Sequence, residues 1–369
     1  MKLLALVLLA LPAGLMAAEK NRLASDAPHA FIAAGYLNSI HSAASFSVIA
    51  GGEQNVISTN SPYAFIGGGR GNVIQVNSSA AAIVSGFGNV IERDASYAGI
   101  LTGWLNRLQP GAFYSVVGGG RFNVIGANAY GTTIAGGFTN TVATDAFGAA
   151  IGGGTSNHVA RAAYKSVIAG GDANAVGPDS TYVSLGGGRQ NQAGASYSTI
   201  AGGNGNVTAE RAFYATIPGG LRAHAANFGQ MAYAAGRFSD NGDAQTSTFV
   251  LRQFTLDETE TELFLDGAAR RIAVPPGAAW SFDALLVARS EAGASVGFQI
   301  KGLIENERGV TRFVGQPQVA SLGQEAGWSA SAQADDGHDA LVLKVRGEAG
   351  TRVRWVATLR TAEVRFGGE

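Results

Sequence analysis

SFSVIAGGEQNVIS at residues 45–58 returns as YAFIGGGRGNVIQV at 63–76, FYSVVGGGRFNVIG at 113–126 and YSTIAGGNGNVTAE at 197–210. The asparagine they share belongs to a column of ten at one spacing of 17: Asn38, Asn55, Asn72, Asn89, Asn106, Asn123, Asn140, Asn157, Asn174 and Asn191. Three residues before each stands a glycine, from Gly35 to Gly188, and six before stands an aliphatic residue, from Ile32 to Leu185. A fixed period of this length, one structural unit per period, marks a solenoid whose coils bury their apolar side against their neighbours.

Within a unit, the small-x-Ile pattern before the glycines and the apolar pair after the asparagine each suit a short strand, so two strands per coil are expected. The glycines suit a tight corner stacked on identical corners. Asparagine tolerates the left-handed region and its amide can bond the same amide in the next coil, so the column reads as a structural ladder. Asn206 extends it after an interval of 15, while Gly203 and Ile200 keep their places. The shortening therefore falls in the loop after the second strand, which is expected to lie outside the stack and to tolerate deletion. One further coil carries Ile217, Gly219 and Gly220 with Ala223 in the asparagine slot, and a degenerate one ends near Gly236. About 13 coils at about 4.8 Å each predict a rod of about 60 Å.

The composition divides the chain. Residues 30–236 carry 16 charged side chains and the shorter stretch 237–369 carries 32. Four segments follow: an export signal over 1–18, a cap or linker over 19–29, the repeat domain over 30–236 and a second domain over 237–369. The signal is read from Lys2, the apolar run Leu3 to Leu11, and the small residues Ala17 and Ala18. That run is too short for a permanent anchor, and no later stretch reaches the roughly 20 apolar residues a membrane helix needs. An exported, extracellular, cell-surface or periplasmic protein is expected. With no cysteine it is held without disulfides, and no lipid-bearing cysteine follows the signal. A net charge of −1 gives no pull toward nucleic acid.

In the second domain Val353, Trp355, Ala357 and Leu359 alternate with Arg352, Arg354, Thr358 and Arg360, and Leu341, Leu343 and Val345 repeat the pattern. This is the period of half-buried strands, and Pro275-Pro276-Gly277 and Gly309 punctuate them. An antiparallel β-sandwich, jelly-roll-like, is expected, which makes the whole chain all-β.

The Ile-x-Gly-Gly core, as in Ile49 to Gly52 and Ile134 to Gly137, with its asparagine and apolar pair, resembles the head repeats of trimeric autotransporter adhesins, the YadA-like family. That resemblance implies a left-handed parallel β-roll assembled as a homotrimer and used in attachment. The unit here is longer than that family's usual one, and neither a stalk nor a membrane barrel follows, so self-anchoring is not expected. The runs FVLRQFTL, GFQIKGLIE and TRVRWVATLR are similar to modules that follow such repeats in phage tail-fibre and bacterial secreted repeat proteins.

No chemistry stands out. Glu53, Asp145, Asp172, Asp179 and Glu210 fall at different offsets of the repeat, the five histidines show no metal-ligand spacing, and no serine sits in a nucleophile elbow. No catalytic residue, metal or cofactor is assigned, and a non-enzymatic protein is expected. The corner after the conserved glycine carries Tyr36, Phe87, Trp104 and Phe138 in some coils and Arg70, Arg121 and Arg189 in others. Aromatics beside arginines suit stacking on sugars or contact with a protein, and they form the candidate binding surface. The chain thus reads as a secreted structural or adhesion protein whose rigid shaft presents a β-sandwich to a surface, glycan or partner. The alternatives are a carbohydrate-active or glycan-binding protein on a single-chain β-helix and a tail-fibre-like component.

Overall fold

In the computed structural model, which describes residues 20–323 and 327–366, all regular structure is strand. Residues 22 to 233 form a parallel β-solenoid. The apolar pair after each asparagine builds one sheet of 13 two-residue strands, from Arg22–Leu23 to His224–Ala225. The pair ending in the column from Ile32 to Ile217 builds a second, each strand in parallel register with its copy in the next coil, as in Val116↔Thr133 and Val117↔Ile134. A third line was not expected from the sequence. The residue after each corner glycine forms a single parallel bridge to the same position one coil on, unbroken from Tyr36 to Ala235.

Branched aliphatic side chains from the two sheets meet inside each coil. Ile49, Ile57, Ile66 and Ile74 have no exposed surface, and each such burial contributes about 1.5–3 kcal/mol. The third side of the coil is filled by small residues such as Ala44, Ser61, Ala95 and Ala129, also fully enclosed. The apolar core is therefore closed within one chain.

Those small residues belong to the loop, and the loop is part of the stack. This corrects the expectation that it lies outside. Its backbone hydrogen-bonds coil to coil: the N–H groups of Tyr63, Ala80 and Tyr97 donate to the carbonyls of Ser45, Pro62 and Ser79, each at 2.9 Å. Buried hydroxyls add rungs, with Ser115 Oγ donating to Ala129 O and accepting from Thr132 N–H. The two-residue shortening does fall here, between the strands Gln192–Ala193 and Thr199–Ile200.

The asparagine side chains, Asn38 to Asn206, are fully buried. Each Oδ1 accepts the backbone N–H of the next ladder residue, at 3.0 Å from Asn38 through to Asn206. Each Nδ2 donates at 2.9–3.1 Å to the carbonyl of the corner glycine one coil on. The ladder begins one coil earlier than its sequence column: Asn21 accepts the Asn38 N–H. It ends at Ala223, which donates its N–H to Asn206 and passes nothing on. The left-handed backbone expected of these asparagines belongs instead to their neighbours, such as Gln54 before Asn55 and the corner glycines. At Gly120, φ is 81° and a Cβ would sit 2.1 Å from the Gly137 carbonyl oxygen, so no side chain fits there.

The second sheet runs on into the C-terminal domain, because Met231–Tyr233 pairs antiparallel with Ala244–Thr255. That strand continues through Val353–Arg365 and Ala278–Ser290 to Ser295–Glu307. A smaller antiparallel sheet is centred on Ala340–Arg346. The inward residues Phe249, Trp280, Leu286, Leu343, Trp355 and Leu359 share one core.

At the junction the end of the first sheet is met by Gln245, whose Oε1 accepts the His224 N–H and whose Nε2 donates to the His224 carbonyl. An open strand edge is thereby paired. Asp243 is buried, which pushes its carboxyl up. The N–H groups of Ser239, Asp240 and Phe238 outweigh that and hold it below the ordinary range. Glu363 has the opposite balance. Burial pushes it up, and hydrogen bonds from Ser247, Thr361 and Gln245 only partly offset this.

Candidate functional site

All seven surface residues singled out in the sequence lie in the bridged corner line, and most of them are engaged with their neighbours. The Arg121 guanidinium lies 3.9 Å from the Trp104 ring centroid and 4.8 Å from that of Phe122. Arg70 faces Glu53 at 3.7 Å and Arg189 faces Asp172 at 3.2 Å. Phe87 packs edge-on against Trp104, Phe138 packs against Phe122, and Tyr36 is exposed. The line presents an apolar patch around Trp104 with its cations already partnered.

A second surface, on the loop corner, was not singled out in the sequence. Because the loops stack, their aromatic residues stack as well. His29, Phe46 and Tyr63 form one run, with ring centroids 4.7 and 5.1 Å apart. A second starts at Tyr97 and Tyr114, steps sideways to Phe113, and proceeds through Tyr130 and Phe147 to Tyr164 at 5.2, 5.0 and 4.3 Å. A third joins Tyr182, Tyr197, Tyr214 and Phe228. Phe46, Tyr63, Tyr97, Tyr114, Tyr182, Tyr197 and Tyr214 hold φ between 57° and 61°. That region costs an aromatic residue about 1 kcal/mol or more.

Beside the rings that have stepped sideways, a groove opens along the solenoid axis. Its volume is about 550 Å³. One wall is the ring stack Phe113, Tyr130, Phe147 and Tyr164. The other is polar, from Asn128, Asp145, Arg161 and Asp179. Asn128 Nδ2 donates to Asp145 Oδ1 at 3.3 Å, which orients that wall.

The groove leads into a notch. The coil at Asn191 lacks two loop residues, so nothing stands between Asp179 in the coil before and Glu210 in the coil after. The notch holds about 280 Å³ and is floored by Gly194 and Ser196, with Phe213 at its side. Two carboxylates at different offsets of the repeat are thus brought to one indentation. Among the described residues no group of His, Asp and Glu is arranged to hold a metal ion, and no helix is long and apolar enough to cross a membrane. The expected export signal over 1–18 lies outside the described residues.

No known protein family matches the chain, and no curated protein matches it. Among solved structures it is similar to the tailspike protein gp49 of Acinetobacter baumannii bacteriophage Fri1, described as a capsular polysaccharide depolymerase, at 9 % identity and a TM-score of 0.19. The match covers 88 % of this chain and 66 % of that one. Two expectations are corrected. The YadA-like assignment finds no support, the likeness being to a phage tailspike. The exclusion of enzymatic activity does not stand either, since the similar structure is that of an enzyme. A likeness at this TM-score places no residue, so the site rests on its own geometry.

Proposed function

We propose that the protein is an extracellular glycan-binding β-solenoid that holds an extended polysaccharide along the loop corner. The groove between the ring stack Phe113–Tyr164 and the polar line Asn128, Asp145, Arg161 carries this reading. A polysaccharide presents apolar C–H faces and hydroxyl edges in alternation. A surface with apolar ring edges on one side and carboxylate, amide and guanidinium groups on the other matches both. This is the glycan-binding alternative of the sequence reading; adhesion enters it only as attachment through sugar.

The test is calorimetry and glycan-array binding with purified capsular and exopolysaccharides and their oligosaccharides. Tyr130→Ala combined with Tyr164→Ala is expected to lower affinity at least tenfold while the fold is retained. Affinity unchanged in that variant, or no binding to any polysaccharide by the parent, overturns the reading.

The notch favours a second reading, in which the bound chain is cut. Two carboxylates flanking an indentation are the groups glycoside hydrolysis uses, one as acid and one as base or nucleophile. In that reading Asp179 and Glu210 act on a polysaccharide delivered along the groove. Asp179→Asn and Glu210→Gln would then each abolish the release of reducing ends while polysaccharide binding persists. Release that continues in both variants removes the notch from the chemistry.

A homotrimer remains part of the proposal, with the apolar patch of Phe87, Trp104, Leu105 and Phe122 as the surface joining the chains. Light scattering should give three times the chain mass of 37.7 kDa.

A further inference from the structure

Every coil of the loop corner supplies a ring to the aromatic column except one. From His29 to Phe228 each coil has an aromatic or imidazole side chain at one of two adjacent positions, but the coil between Tyr63 and Tyr97 has Ser79 and Ala80 there. The backbone does not register the omission. Ala80 has φ 54°, beside 59° for both Tyr63 and Tyr97, and its N–H donates to Pro62 O at 2.9 Å as in the neighbouring coils. One coil thus contributes no ring, while its backbone stays in the stack.

The rings on either side do not close the gap. Phe46 and Tyr63 are 5.1 Å apart and inclined by 5°, and Tyr97 and Tyr114 are 5.1 Å apart and inclined by 6°. Tyr63 and Tyr97 therefore face each other at about twice that repeat across Ala80, with no ring partner on those faces among the described residues. Their exposure agrees: Tyr63 is 62 % and Tyr97 58 % exposed, against 47 % for Tyr197, which has rings on both faces.

We infer that this gap is a saccharide site in which one pyranose ring is sandwiched between Tyr63 and Tyr97, a reading that rests on the glycan function proposed above. The glycan function decides the class of ligand. A pyranose at mid-gap lies one repeat from each tyrosine, the separation at which these rings already stack on their neighbours, and its axial C–H groups face both rings.

The test uses Ala80→Tyr, which supplies the missing ring at a backbone conformation its neighbours already hold. Methyl β-D-glucopyranoside, methyl β-D-galactopyranoside and N-acetylglucosamine are the probes, read by NMR shifts of the Tyr63 and Tyr97 ring protons, with p-nitrophenol as the flat control. At least one glycoside is expected to shift both rings in the parent and neither in Ala80→Tyr, whose melting temperature is unchanged or higher. Polysaccharide binding by the groove should persist in that variant. If the glycosides shift neither ring in the parent while polysaccharide still binds, the slot is overturned and the groove stands. If p-nitrophenol shifts the rings more than any glycoside, the ligand class is wrong. If no saccharide or polysaccharide binds the parent at all, the groove reading fails and the slot with it.

Discussion

The asparagine corner and the loop corner sit in the same coils, yet they obey different rules. At the first, the amide must accept one N–H and donate to carbonyls in its own coil and the next, so identity is invariant from Asn38 to Asn206. At the second, the loop backbone makes most of its own hydrogen bonds, small inward residues add a few hydroxyl rungs, and the outward side chains stack, pair or face water. There the structure accommodates a sideways step of the rings, a missing ring and a two-residue deletion. A corner whose side chains replace backbone partners is closed to variation; a corner whose side chains are free is where a binding surface can be built.

The hardest test of that contrast pairs two asparagines of one coil. Asn123→Asp places a carboxylate against the carbonyls of Gly119 and Gly137 and is expected to cost about 3–5 kcal/mol in urea denaturation. Asn128→Asp, in the exposed loop column where Asp94, Asp145 and Asp179 already stand, loses one exposed hydrogen bond to Asp145 and should cost about 1 kcal/mol or less. Equal losses would erase the distinction. Two glycines repeat the comparison at a somewhat smaller scale. Gly120→Ala drives a Cβ into the Gly137 carbonyl and should cost about 3 kcal/mol. A Cβ at Gly131 meets open space, so Gly131→Ala should cost only the left-handed backbone, about 1 kcal/mol.

The junction separates its two carboxylates by pH. Asp243 has a lowered folded-state pKa, so its stabilisation is present above the ordinary carboxylate range and is lost as pH falls through the folded value. Glu363 is raised, so its contribution is full below the ordinary glutamate range and is lost as pH rises through its folded value. Melting temperatures from pH 3 to 8 should therefore fall less steeply on the acid side in Asp243→Ala. They should decline less toward neutral pH in Glu363→Gln. The smallest expected effect sharpens the loop corner itself. Tyr197→Gly loses two ring stacks at about 0.5–1.5 kcal/mol each but relieves a left-handed tyrosine, so net stability should change by about 1 kcal/mol or less.

Much of this was legible in the sequence. The period, the paired short strands, the place of the shortened loop and the inward faces of Leu341–Val345 and Val353–Leu359 follow from repeat spacing and two-residue alternation, which local chemistry enforces. Asn21 was legible too, 17 residues before Asn38 and six after Leu15, but Ala18 stands where the corner glycine is usual. The aromatic rings could be counted in the sequence; their stacking could not, because it depends on the loop lying within the hydrogen-bonded stack.

What the sequence determined by itself was therefore the coil: where it turns, which residues it buries and why glycine and asparagine stand at its corner. Only the tertiary structure decided which surface is available. It showed the corner line of Trp104 and Arg121 to be largely self-partnered, and it joined Asp145, Asp179 and Glu210 to one groove and notch. The physical reason is that burial and turn chemistry act within a coil and repeat with its period. A surface site is assembled between coils, from residues whose offsets differ and whose meeting depends on what the intervening coil leaves out.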